Sequence, residues 1–186
     1  MTKSLTWMTM KLCTPFKLDN PPVVFAVSAI AALISFSVLA SDLPDPNLTP
    51  GAINPDVTQA SIQQTICVKG YTKTIRPPAY FTNRLKKYQI VEYGYEDTNL
   101  RDYEEDHLIA LSIGGAPSDP HNLWPQSRNS EWSASKKDRL EFVLYKMVCN
   151  EELSLDEAQR AMASNWIGAW KRYVPSHEQY QFRRVD

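Results

Sequence analysis

Two segments toward the C-terminus repeat apolar residues at intervals of three and four. Leu140, Val143, Leu144, Met147 and Val148 fall on one stripe of a helix predicted from about Glu131 to Cys149, capped by Ser130. Ala158, Ala161, Met162, Trp166, Ala169, Trp170 and Tyr173 line one face of a second helix. Ser154 and Glu157 form a capping box at its start, and Pro175 comes after its end. Both stripes read as core. Upstream the helical period is lost. Tyr103 to Leu111 predicts a strand running into Leu108, Ile109 and Leu111, and Gly114 to Pro120 is loop chemistry. Asn122 to Pro125 is a second short extended piece. Thr82 to Val91 predicts a short helix behind the extended Pro77-Pro78. Residues 41–60 carry Pro, Asp and Asn without an apolar pattern and read as an extended linker or arm, and 176–186 read as a loose polar tail. The whole is an α+β chain whose domain occupies 61–175.

One hydrophobic run stands outside this scheme. Val23 to Ala40 is 18 residues without a charge, preceded by Lys3, Lys11 and Lys17 against Asp19 alone. Small or apolar residues at Val38 and Ala40, then Ser41-Asp42-Leu43-Pro44, read 1–40 as a signal peptide cut after Ala40. The alternative is an uncleaved membrane anchor, since such a run just spans a bilayer. Both export the remainder, to the periplasm or beyond the cell. That remainder keeps Cys67 and Cys149, and two cysteines in an exported chain predict one disulfide. On the chain-entropy view it contributes about 4 kcal/mol.

Charge sharpens the picture once it is resolved along the chain. The total is −1, and −3 without the leader. Cys67 to Val91 holds six basic residues and no acid: Lys69, Lys73, Arg76, Arg84, Lys86 and Lys87, interleaved with Tyr71, Tyr80, Phe81 and Tyr88. Cations beside rings suit a polyanion, and a solvated face over core aromatics is the equal alternative. Glu92 to Asp106 reverses the sign, with seven carboxylates and only Arg101 to oppose them.

The acidic block ends at Glu105-Asp106-His107. A strand end presents Asp106 and His107 on opposite sides of the backbone. A hard divalent cation favours the carboxylate, and a neutral imidazole can take a proton from water near neutral pH. Asn122, returning on the neighbouring strand, can hold the ring or the loop by hydrogen bonds. Cation, base and positioned water are what phosphodiester hydrolysis requires. No His-Glu-x-x-His, Gly-x-Ser-x-Gly or phosphate-loop motif points to a zinc protease, a serine hydrolase or a nucleotide-driven enzyme.

Asp106-His107-Leu108-Ile109, then Gly114-Gly115, then Asn122-Leu123 resembles the HNH endonuclease family, whose fold is a ββα-metal core. From Cys67 onward the chain also resembles a set of exported bacterial HNH-like proteins, through Tyr103 to Ile109, Asp119 to Pro125, Lys137 to Glu141 and Ala158-Gln159 leading to Trp166. The resemblance implies a ββα-metal core followed by a helical pair. It implies Asp106 as metal ligand, His107 as general base and Asn122 as the residue that orients His107. The last residue of the family pattern is replaced by Glu131, expected here as the second ligand, with Ser133, Asn129 and Asp138 as alternatives. The ion would be Mg²⁺, or Mn²⁺ or Zn²⁺ in its place. Lys73, Arg76, Arg84, Lys86, Lys87, Arg128 and Lys137 are the expected nucleic-acid contacts. The function implied is an exported metal-dependent endonuclease acting on DNA or RNA. The alternative is a non-catalytic binding protein for nucleic acid or a partner, on a decayed HNH scaffold. In either case a membrane enters only through an uncleaved leader.

Overall fold

The computed structural model describes residues 41–183, with side chains through Pro175; residues 1–40, on which the expected signal peptide falls, and residues 184–186 lie outside the described residues. In chain order the elements are α1 (Tyr71–Ile75), α2 (Ala79–Glu92), β1 (Tyr103–His107), β2 (Leu123–Ser127), α3 (Ala134–Cys149) and α4 (Leu155–Arg183), joined through short 3-10 turns. The fold is α+β: one two-stranded antiparallel sheet with helices around it. Register runs from Tyr103 opposite Ser127 to His107 opposite Leu123. Among the described residues no helix is long and apolar enough to cross a membrane.

The two apolar stripes pack on each other. Leu140, Val143, Leu144 and Val148 of α3 are fully buried with Ala158, Met162 and Trp166 of α4, and Leu108, Ile113 and Trp124 complete the same core. Burying each large side chain contributes about 1.5–3 kcal/mol, so this contact holds the C-terminal half together. The helix ends differ from the sequence reading. Ser133, not Ser130, is the N-cap residue of α3, and the buried Ser130 hydroxyl has no partner among the described residues. Trp132 explains the shift, because its ring packs edge-on against Trp166 and Trp170 and holds the preceding turn out of the helix.

Half of the expected capping box forms: the Glu157 N–H donates to Ser154 Oγ at 3.2 Å. The Glu157 carboxylate instead accepts from the Tyr173 hydroxyl at 3.1 Å. Helix α4 is two segments in series. Asn165 leaves helical geometry (φ −166°, ψ 88°), and its Oδ1 accepts from the Gly168 N–H at 2.9 Å, recapping the chain. Pro175 lies inside the helix rather than after it. The carbonyl it deprives of a partner belongs to the exposed Lys171, where water can serve.

Residues 41–60 are not a free linker. The Gly51 N–H donates to the His121 carbonyl (2.9 Å), Asn54 N–H to Gly114 (2.8 Å), and Ala116 N–H to Ala52 (2.9 Å). Thr49 and Val57 are buried in these contacts. The arm is held mainly through backbone groups, which leave no apolar period in a sequence.

Helix α2 is joined to the hairpin by polar side chains. Lys86 Nζ donates to the carbonyls of Leu100 (2.9 Å) and Tyr103 (3.0 Å), and Gln89 Nε2 to that of Leu123 (2.8 Å). Cys67 and Cys149 form a disulfide, which ties the turn before α1 to the last residue of α3 across 82 positions.

Candidate functional site

Strand alternation sorts the acidic block onto two faces. Glu104 and Asp106 face α3 and Arg128, while Tyr103 and Glu105 face α2 and its Lys86. On the first face Arg128 pairs with Glu104 at 2.9 Å. Burial and then the neighbouring Asp106 hold the Glu104 and Asp138 carboxyls above their ordinary range.

The loop between the strands is built around Asn122, which is fully buried. Its Oδ1 accepts from the Ile109 N–H at 2.9 Å, and its Nδ2 donates to the Ile109 and Ala116 carbonyls, both at 3.0 Å. Only glycine fits at 115: a Cβ there would stand 1.7 Å from the Ile109 oxygen and 2.8 Å from Asn122 Nδ2. Gly114 takes a left-handed turn at φ +78°. Asn122 therefore holds the loop and not the imidazole.

The loop in turn presents the Pro117 carbonyl to His107. Nε2 of the ring stands 2.8 Å from that oxygen. A carbonyl only accepts, so Nε2 carries the proton and Nδ1 of the neutral ring keeps its lone pair. His107 is 4% exposed. Burial pushes its pKa below the ordinary value, with Lys137 and Arg76 adding to the effect against Pro117 and Asp106. The imidazole is thus neutral in neutral solution, as a proton acceptor must be.

The sequence reading missed what lies beside Asp106. The side chain of Lys137 is fully buried, and its Nζ donates to Asp106 Oδ2 at 2.7 Å, to the His107 carbonyl at 2.6 Å, and to Glu141 Oε1. Burial opposes the charge on Lys137, but Asp106 and Glu141 together outweigh it and hold the ammonium above its ordinary range. The other Asp106 oxygen, Oδ1, accepts the His107 N–H at 2.8 Å. The i,i+4 spacing of Lys137 and Glu141 was the available signal, though it is common on exposed helices.

A cleft of about 250 Å³ opens next to this group, lined in part by Thr72, Arg76, Asp138, Glu141 and Phe142. Arg76 is the exposed basic residue that the structure brings to it. Lys73 is exposed on α1, Arg84 and Lys87 on α2, and Arg128 beyond β2. Two residues expected on a nucleic-acid surface are not on any surface: Lys86 and Lys137 are buried and hold carbonyls and carboxylates. Glu131 stands exposed in the turn before α3, outside the Asp106 group. Asn129 Nδ2 donates to Asp102 at 2.8 Å, and Ser133 meets Ser135, so neither turns to Asp106.

Among the described residues no group of three or more His, Cys, Asp or Glu side chains converges to hold a metal ion. With Asp106 paired to an ammonium and Glu131 apart, these two carboxylates as folded do not share the divalent ion that the resemblance implied. Comparison with protein-family models, with curated proteins and with solved structures gives no match to this chain.

Proposed function

We propose that the chain is an exported endonuclease of HNH type, with β1, β2 and the start of α3 as its ββα core, hydrolysing phosphodiester bonds of DNA or RNA. The observation that carries this reading is the His107–Pro117 hydrogen bond. It fixes the tautomer of a neutral, buried imidazole and leaves Nδ1 free to accept a proton. In the reaction, water gives a proton to Nδ1 and its oxygen bonds to phosphorus. The bond from phosphorus to the 3′ oxygen breaks, and that oxygen leaves with a proton from solvent. Arg76 in the adjoining cleft meets the phosphate oxygens. The disulfide supports export into an oxidising compartment.

The test is nicking of plasmid DNA, and cleavage of RNA, by the purified protein in Mg²⁺, in Mn²⁺ and in EDTA, beside His107→Ala. Cleavage by the wild type that falls at least about 100-fold in the variant is expected. Equal activity in the two proteins overturns the assignment.

The Lys137–Asp106 pair favours a second reading, a non-catalytic binding protein on the same scaffold, since the expected metal ligand is already neutralised from within. Retention of labelled DNA or RNA without cleavage under any metal would decide for it.

A further inference from the structure

Three oxygens converge on one point at the sheet–helix junction: Asp106 Oδ2, the His107 carbonyl and Glu141 Oε1, all bonded to Lys137 Nζ. An ammonium has three N–H donors, and each here has one acceptor, so the group is fully satisfied without water. The side chain that delivers it is 0% exposed. Two carboxylates and a carbonyl are the hard oxygen donors that Mg²⁺, Mn²⁺ and Ca²⁺ select. The cradle is thus of cation-binding chemistry, and a cation of the chain itself fills it.

We propose that Lys137 is a built-in cation, taking the place of a divalent ion between Asp106, Glu141 and the His107 carbonyl, so that the protein needs no metal there. A divalent ion could enter only by driving the ammonium out of a buried site in which all three of its hydrogen bonds are made. The cradle joins the carboxylate and the carbonyl of consecutive strand residues to helix α3. Lys137 therefore sets the position of His107 from its backbone side, and it is a positioning residue, not a reacting one. The proposal concerns what fills the cradle, and it stands whether or not His107 acts as a base.

The experiment compares the full protein with Lys137→Ala. Removing the ammonium leaves two carboxylates and a carbonyl around a gap, which should bind one divalent ion. The Mn²⁺ electron paramagnetic resonance signal should stay that of free ion with the wild type and be lost to one bound equivalent with the variant. Millimolar Mg²⁺ should raise the Tm of the variant by about 5–10 °C and leave the wild type unchanged. Adding Asp106→Asn to the variant should abolish both effects. If Lys137→Ala does not fold, the wild type decides through the ¹⁵N resonance of its Lys137 ammonium. Burial and three hydrogen bonds should make that signal slow to exchange and insensitive to Mn²⁺. A wild type that binds Mn²⁺ with loss of this resonance overturns the proposal. So does a folded Lys137→Ala that takes up no ion.

Discussion

Asn122 and Ile109 face each other across the glycine loop as if the asparagine side chain were a strand, its Oδ1 and Nδ2 meeting the Ile109 N–H and carbonyl at 2.9 and 3.0 Å. The same Nδ2 reaches the Ala116 carbonyl, one residue before the Pro117 oxygen that holds His107. Asn122→Asp keeps the acceptor but sets a carboxylate oxygen against two carbonyls in a fully buried place. It should destabilise the fold by roughly 3–5 kcal/mol, and Asn122→Ala by about 2–3 kcal/mol through orphaned backbone groups. Urea unfolding of the two variants measures both. A loss below about 1 kcal/mol for Asn122→Asp would mean that the loop is not held this way.

The Cys67–Cys149 bridge closes an 82-residue span that contains the whole hairpin. Reduction, or replacement of both cysteines by serine, should cost about 4–5 kcal/mol and lower the unfolding midpoint accordingly. Thermal unfolding with and without reductant reads the effect. An unchanged midpoint would show that the α3–α4 core alone sets the stability.

The sequence made the helices and the order of the site legible because both are written in side-chain identity. Leu140 to Val148 and Ala158 to Tyr173 announced a packed pair through spacing alone, and Asp106, His107 and Asn122 did lie on a hairpin and its loop. Ionic pairing across the fold was not legible. Lys137 reads as one more exposed helix lysine until α3 is laid against the end of β1. Lys86 reads as a phosphate contact until its ammonium is seen capping the Leu100 and Tyr103 carbonyls. Long side chains carry charge into a core at positions where periodicity expects solvent, and composition cannot tell the two apart.

The arm gives a sharper check on the same lesson. Thr49 Oγ1 donates to the Leu123 carbonyl at 3.1 Å and accepts from the Tyr93 hydroxyl at 2.6 Å, with no exposed surface. Thr49→Val keeps the shape, takes one of two donors from the Leu123 carbonyl, which Gln89 still meets, and removes the acceptor of the Tyr93 hydroxyl. It should destabilise the protein by about 1–3 kcal/mol, where a substitution in a free linker stays within roughly 0.5 kcal/mol. Chemical denaturation of the variant separates the two outcomes.

Glu105 sits on the face of β1 opposite Asp106, and both its oxygens are buried without a hydrogen-bond partner among the described residues. Burial pushes its pKa up to about 8 against the pull of Lys86, with Asp106 adding to the rise. The folded chain thus keeps a proton that the unfolded chain releases near its ordinary value of 4.5. The resulting stabilisation is complete below that value and is lost as pH rises toward 8, with a slope of at most about 1.4 kcal/mol per pH unit. His107 acts with the opposite sign. Its folded pKa is depressed, so the stability it contributes is present above the ordinary 6.5 and is lost as pH falls through the folded value. Glu105→Gln should remove the alkaline loss and leave the acid-side loss in place. Urea midpoints measured at intervals from about pH 5 to about pH 8.5 test this. Parallel curves for wild type and variant above pH 6.5 would show that Glu105 ionises in the folded protein as it does in water.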